Sequence, residues 1–115
     1  MSTIMNTTYK IAIGADHAGV DLKETVVELL KAWGHEVTDM GTMTKNSCDY
    51  SDYANEVASS IADGTNDRGI LICRSGIGMS IAANKRRGIR AAVLSDAFSA
   101  EMTRRHNDAN VLCLG

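Results

Sequence analysis

The strongest constraint on the fold of this chain is an alternation. Five short apolar runs, 10–14, 35–39, 69–73, 89–94 and 110–114, are separated by segments with helical periodicity. Each run has the length of an ordinary strand and is apolar along most of it, as expected when both faces are covered. In the first gap Val20, Leu22, Val26, Leu29 and Leu30 share one helical face, with Asp21, Lys23, Glu24 and Glu28 mostly on the other. Tyr53, Val57 and Ile61 recur every four residues and predict a helix over 50–62. A third helix is expected over 77–85, and a fourth over 97–105 with Ser95 or Asp96 as its cap. Strand–helix alternation of this kind predicts an α/β fold, an open sandwich around a five-stranded parallel sheet. Ligands bind such sheets at the carboxyl ends of the strands. Here those ends carry Ala15-Asp16-His17, Gly41-Thr42, Cys73-Arg74-Ser75-Gly76 and Ser95-Asp96.

Composition narrows the class. A chain of 115 residues, 44% apolar and 23% charged, suits one ordinary globular domain. A net charge of −2 argues against a general nucleic-acid binder, and 4% aromatic content argues against base-stacking platforms. No apolar run approaches the ~20 residues that span a bilayer, so no membrane partner is expected. Residues 1–9 are polar, lack a signal-peptide core and read as a disordered lead-in to a domain over 10–115, with Met5 as a second start site. The cysteines are three, widely spaced, without a C-x-x-C pair. That argues against a disulfide framework or structural zinc and fits a reducing cytoplasm. Cys113, inside an apolar run, is expected in the core, whereas Cys48 sits in a polar loop with no evident role. The chain stops directly after its fifth run, where such a sheet usually carries a covering helix. Truncation, or cover by a partner subunit, is therefore expected.

The chemistry gathers around Cys73. A thiol at a strand end, followed by Ser75-Gly76-Ile77-Gly78 and a helix, lies beside backbone N–H groups. A helix N-terminus favours a thiolate and can hold an anion. The competing reading is a buried structural cysteine. The Gly-x-Gly loop lacks both the Gly-Lys-Ser/Thr of a phosphate loop and the full dinucleotide fingerprint, since position 81 is Ile. A small anion such as an enolate oxygen suits it better than NAD or ATP. Asp16-His17 reads either as a substrate-binding pair or as a helix cap with an exposed neighbour. His106-Asn107 reads either as an acid/base pair at a helix end or as a C-cap. His35 is expected at the surface. Arg104-Arg105 reads as a solvated helix end that can also meet a phosphate. No metal-ligand spacing appears.

Five segments together resemble one family. They are 11–19, 49–54, 69–85, 88–92 and 105–110, in this order, and the likeness covers nearly the whole of 10–115. The chain resembles ribose-5-phosphate isomerase B and its sister sugar-phosphate isomerases, including galactose-6-phosphate isomerase subunits. The resemblance implies a Rossmann-like three-layer α/β/α sandwich, working as a homodimer or dimer of dimers in the pentose phosphate pathway. It implies reversible conversion of D-ribose 5-phosphate to D-ribulose 5-phosphate without metal or organic cofactor. Cys73 matches the base that moves a proton between C1 and C2, and 74–78 match the loop whose N–H groups hold the enediolate. By the same likeness His106 assists ring opening, and Asp16, His17 and Asn107 bind substrate. Two departures stand out. Arg74 replaces the usual glycine, where it can crowd the sugar, aid the thiolate or grip the phosphate. The family's C-terminal helix and phosphate-binding arginines have no counterpart in 10–115. Two other readings follow from these departures: isomerisation of a different pentose, tetrose or hexose phosphate, or non-catalytic binding of a phosphosugar. A nucleotide-binding module ranks below both for want of a complete phosphate loop.

Overall fold

All five apolar runs become strands by pairing their backbones in one sheet; the inner strands bury most of their side chains, and the edge strands are partly exposed. The computed structural model describes residues 7–43, 46 and 49–115; Met5 and Cys48 lie outside them. The elements are β1 (Lys10–Ala15), α1 (Val20–Ala32), β2 (Glu36–Asp39), α2 (Tyr50–Ala62), β3 (Arg68–Ile72), α3 (Ile77–Asn84), β4 (Ala91–Val93), α4 (Ala97–Asn107) and β5 (Val111–Leu114). A short 3-10 turn, His17–Gly19, joins β1 to α1. The sheet is fully parallel, in the order β2-β1-β3-β5-β4. The predicted α/β sandwich is the observed one. The chain steps from β1 outward to β2 and then back across to β3. The topological switch point therefore lies between the tips of β1 and β3, where this architecture opens a crevice.

Side-chain alternation divides the core in two. Ala12, Leu71, Val111 and Cys113 face α2 and α3, meeting Ala54, Val57, Ala58, Met79 and Ala83. Ile11, Ile13, Ala15, Ile70 and Ile72 face α1 and meet Leu30. Small residues on the first face set the spacing: a Cβ on Gly69 would stand 2.7 Å from Ile61 Cδ1 and 2.8 Å from Val57 Cγ1. Helix α2 can approach the sheet only because that atom is missing. Cys113 is buried as expected, and burial pushes its thiol up to about 12, with the neighbouring Cys73 adding to the shift.

Along β5, Val111 and Cys113 are buried while Leu112 and Leu114, on the other face, are only partly covered. Helix α4 on that side buries no residue of its own, and Phe98 is largely exposed. An apolar groove of about 190 Å³ opens there between Leu94, Ala100, Thr103 and Leu112.

Several expectations change. Lys23, assigned to the polar face of α1, is 1% exposed, because Val20, Lys23 and Leu30 are the positions that a 3.6-residue period aligns toward the sheet. Its charge is met by Asp39 at the end of β2. Leu22 and Leu29, assigned to the apolar face, flank that stripe and are exposed. Tyr9, placed in the lead-in, is tied to the domain. Its N–H donates to His35 Nδ1 (3.1 Å), and the Arg68 guanidinium lies 4.9 Å from its ring centroid. His35 is accordingly half-buried and structural rather than a surface residue. The fourth strand is shorter than its apolar run: Ile89 is buried ahead of it in the core beneath α3. Asp96, not Ser95, caps α4, accepting the Ser99 N–H at 2.7 Å.

Candidate active site

The tips of β1 and β3 meet directly. Ala15 pairs with Ile72 in register, and the Asp16 N–H donates to the Ile72 carbonyl at 3.1 Å. Asp16 and Cys73 thus leave the sheet side by side at the switch point. Asp16 is buried, and one carboxylate oxygen accepts the Ala18 N–H at 2.9 Å, so it caps the 3-10 turn while standing at the tip. The capping reading of Asp16 is thus observed, and its position at the strand tip is the one a substrate-binding residue would need. His17, half-buried, opens that turn.

Cys73 is buried, held by its N–H to the Leu114 carbonyl at 3.1 Å. The chain then turns through Gly76 at φ +79°, in the left-handed region that glycine tolerates. The turn aims the Gly76 N–H at Cys73 Sγ, 3.1 Å away. Ser75 Oγ accepts the Ile77 N–H at 3.2 Å, and Ser80 Oγ donates to the Ile77 carbonyl at 2.7 Å. Two amides of the expected 74–78 cradle, those of Gly76 and Ile77, are therefore engaged within the loop itself. Gly78 lies beneath the Tyr50 ring, where a Cβ would stand 3.0 Å from Cζ. Tyr50, at the start of α2, covers the loop at Gly78, a contact that sequence reasoning did not single out.

Arg74 is exposed and lines a cleft of about 600 Å³ together with Ser75, Ser95, Asp96 and Leu22. Bonds from the Ser99 backbone and then the Ser99 hydroxyl hold the Asp96 carboxyl below its usual range. The cleft therefore carries a fixed anion and a long cation at the same end of the sheet as Cys73.

His106 and Asn107 stand elsewhere. Helix α4 starts at the carboxyl end of β4 and runs back for 11 residues, roughly 16 Å at the usual rise, before β5 begins. Both residues are exposed at its last turn, at the amino ends of the strands. Within one chain they do not join Cys73. The cap there is Asp108, in the left-handed region at φ 50°. It gathers Arg90 Nη2 at 3.1 Å and Arg104 Nη1 at 3.0 Å, while Arg105 pairs with Glu101 at 2.7 Å. Those arginines are engaged in exposed pairs of small energetic weight.

Among the described residues no group of three or more His, Cys, Asp or Glu side chains forms a metal site, and no helix is long and apolar enough to cross a membrane. The geometry offers a buried thiol with an adjacent N–H donor at the switch point, an arrangement that suits chemistry in which an oxyanion develops.

Known proteins share this fold. Residues 11–115 match the Ribose/Galactose Isomerase family. Ribose-5-phosphate isomerase B of Escherichia coli is 52% identical over 106 residues, spanning 92% of this chain and 71% of that protein. D-erythrulose-4-phosphate isomerase of Pectobacterium atrosepticum is 48% identical, spanning 91% and 70%. The solved ribose-5-phosphate isomerase B of Clostridium thermocellum superimposes with a TM-score of 0.91 at 52% identity, over 92% of this chain and 72% of that one. This chain belongs to the ribose/galactose isomerase family.

Proposed function

We propose that this chain interconverts D-ribose 5-phosphate and D-ribulose 5-phosphate through an enediolate formed at the tips of β1 and β3. The observation that carries this reading is Cys73 Sγ facing the Gly76 N–H at the head of α3. In the open-chain aldose, the thiolate takes the C2 proton and the C2–H electron pair forms the C1–C2 double bond. Charge moves to the C1 oxygen, and the loop over 74–78 supplies N–H donors to it. Once Sγ is protonated it accepts hydrogen bonds weakly, which frees the Gly76 N–H for the oxyanion as charge develops there. The proton then returns to C1, O2 gives its proton to O1, and the ketose results. One donor in such a cradle typically contributes about 100- to 1,000-fold in rate. Asp16 and His17 hold the sugar hydroxyls beside the thiol, and Ser75 and Gly78 shape the floor beneath them.

Ring opening falls to His106, with Asn107 binding the substrate. Because both lie at the opposite end of the sheet, this role needs a second copy of the chain that presents its α4 terminus to the site. A homodimer with composite sites, or a dimer of such dimers, follows from that placement. The cytoplasmic setting read from cysteine usage belongs to the same proposal.

The deciding measurement compares the parent and Cys73→Ala on ribose 5-phosphate, following ketose formation and deuterium uptake from heavy water. The variant is expected to stay folded and to lose turnover by about 100- to 10,000-fold, the usual contribution of a general base. Undiminished turnover would reject Cys73 as the base. A second reading has specific support: Arg74 narrows the cleft with a long cation, and a 48% identical relative is named for a four-carbon ketose phosphate. A panel of four-, five- and six-carbon phosphosugars separates the two readings. Binding of all without turnover of any would instead indicate a phosphosugar-binding module.

A further inference from the structure

The one buried ammonium of the described core has no part in the chemistry above, yet it sits under it. Lys23 Nζ reaches both carboxylate oxygens of Asp39, at 2.8 and 2.7 Å, and touches Met43 Sδ at 3.5 Å. Taking an ammonium out of water is costly, and an apolar pair of similar volume is often as stable or more so. Stability alone therefore gives little reason for an ion pair at this point.

Its connections give a reason. Asp39 Oδ1 also accepts the Gly41 N–H at 2.9 Å. The Gly41 carbonyl accepts the Ala15 N–H at 2.6 Å, and the Thr42 N–H donates to the Ala15 carbonyl at 2.7 Å. Ala15 is the last residue of β1, and the next N–H, that of Asp16, is bonded to Ile72 beside Cys73. Gly41 packs closely against the Tyr53 ring. It has φ +103°, and a Cβ there would meet Tyr53 Cε1 at 2.9 Å. A rigid charged chelate thus clamps a turn, the turn clamps both backbone bonds of Ala15, and Ala15 sets where the following two side chains leave the sheet.

We propose that Lys23 and Asp39 are positioning residues: their buried ion pair locks the Gly41–Thr42 turn onto the β1 tip and so fixes Asp16 and His17 relative to Cys73. The effect on turnover rests on the isomerase reading, whereas the clamp itself does not. A misplacement of about 1 Å in such a site costs on the order of 100-fold in rate.

Three measurements test it. In the parent, amide hydrogen exchange of Ala15 and Gly41 is expected to match the slowest amides of β3; rapid exchange through local opening overturns the clamp. In the double variant Lys23→Met with Asp39→Leu, the expected result is a folded protein with faster Ala15 exchange. Its kcat falls on the order of 100-fold, with KM within about threefold of the parent. Asp39→Asn keeps an acceptor for Gly41 but loses the charge, so a smaller loss of kcat, about 10-fold, is expected if the double variant fails to fold. Parent-like kcat in either folded variant shows the pair to be structural only and overturns the proposal. Absence of isomerisation in the parent rejects the functional reading instead. The alkylation rate of Cys73 and the Ala15 exchange then judge the clamp without turnover, and a rate unchanged in both folded variants overturns it.

Discussion

Gly76→Ala is the substitution whose consequences the structure specifies most fully. Residue 76 sits at φ +79°, a conformation that costs an L-residue about 1–2 kcal/mol. The added Cβ would also lie 3.1 Å from the carbonyl carbon and oxygen of Leu114 and 3.2 Å from its nitrogen. Those atoms belong to the end of β5, whose Leu114 carbonyl holds the Cys73 N–H, so they cannot yield without moving Cys73. Overpacking of this kind typically adds about 1–3 kcal/mol. A domain of this size changes Tm by about 4 °C per kcal/mol, which places the expected fall at about 8–20 °C. The loop must shift away from Leu114, carrying the Gly76 N–H off Sγ, and kcat should fall by about 100-fold or more. Gly34→Ala is the matched control. Its φ is +91°, but no atom lies within 4 Å of the new Cβ, so only the backbone strain remains. That variant should lose about 4–8 °C and keep its turnover. Thermal unfolding and steady-state assays of both decide the matter. The reasoning is refuted if Gly76→Ala loses no more Tm than Gly34→Ala and turns over like the parent.

Three further outcomes are expected. Mixing inactive Cys73→Ala with inactive His106→Asn, after unfolding and refolding together, should restore about a quarter of parental activity, because half of the random dimers carry one intact composite site; no recovery argues against a shared site. The Cys113 thiol is raised to about 12 from 9.0, so its contribution to stability is complete below pH 9 and is lost as pH rises toward 12. Cys113→Val should flatten that alkaline decline in urea midpoints, and an unaltered decline contradicts the assignment. Asp96 is held below 3.8 by its bonds to Ser99, so its contribution is present above that pH and disappears as pH falls through the lowered value. The Tm difference between Asp96→Ala and the parent should shrink on acidification through this range; a constant difference would mean the cap acts without its charge.

The apolar runs foretold the sheet because burial on both faces leaves a signal that needs no knowledge of the partner. Ile11, Ile13 and Ile70, Ile72 read as strands without reference to what covers them. Lys23 shows the opposite case. A charge on a helix reads as solvated unless its counter-charge is in view, and Asp39 lies sixteen residues away on another element. Only the fold brings them together, so the clamp under the β1 tip had no local signature. Tyr50 escaped for a similar reason, since its role depends on Gly78 passing beneath it from a different helix.

The placement of His106 and Asn107 is different in kind, because it was already implicit in the alternation of elements. In a parallel α/β sheet every residue between a strand and the next helix lies at the carboxyl end. Every residue between a helix and the next strand lies at the amino end. Asp16, His17, Cys73, Arg74 and Asp96 are of the first kind; His106 and Asn107 end α4 and precede β5. No adjustment of loops can carry a residue of the second kind across the length of β5 to the first. If both sets act on one substrate, as the family resemblance implies, then a second chain is a requirement of topology. The thin cover that α4 gives the sheet, and the half-exposed Leu112 and Leu114, place uncovered apolar surface beside that same helix. Activity should therefore depend on protein concentration near the dimer dissociation constant, and the His106→Asn and Cys73→Ala defects should complement only under conditions where subunits exchange.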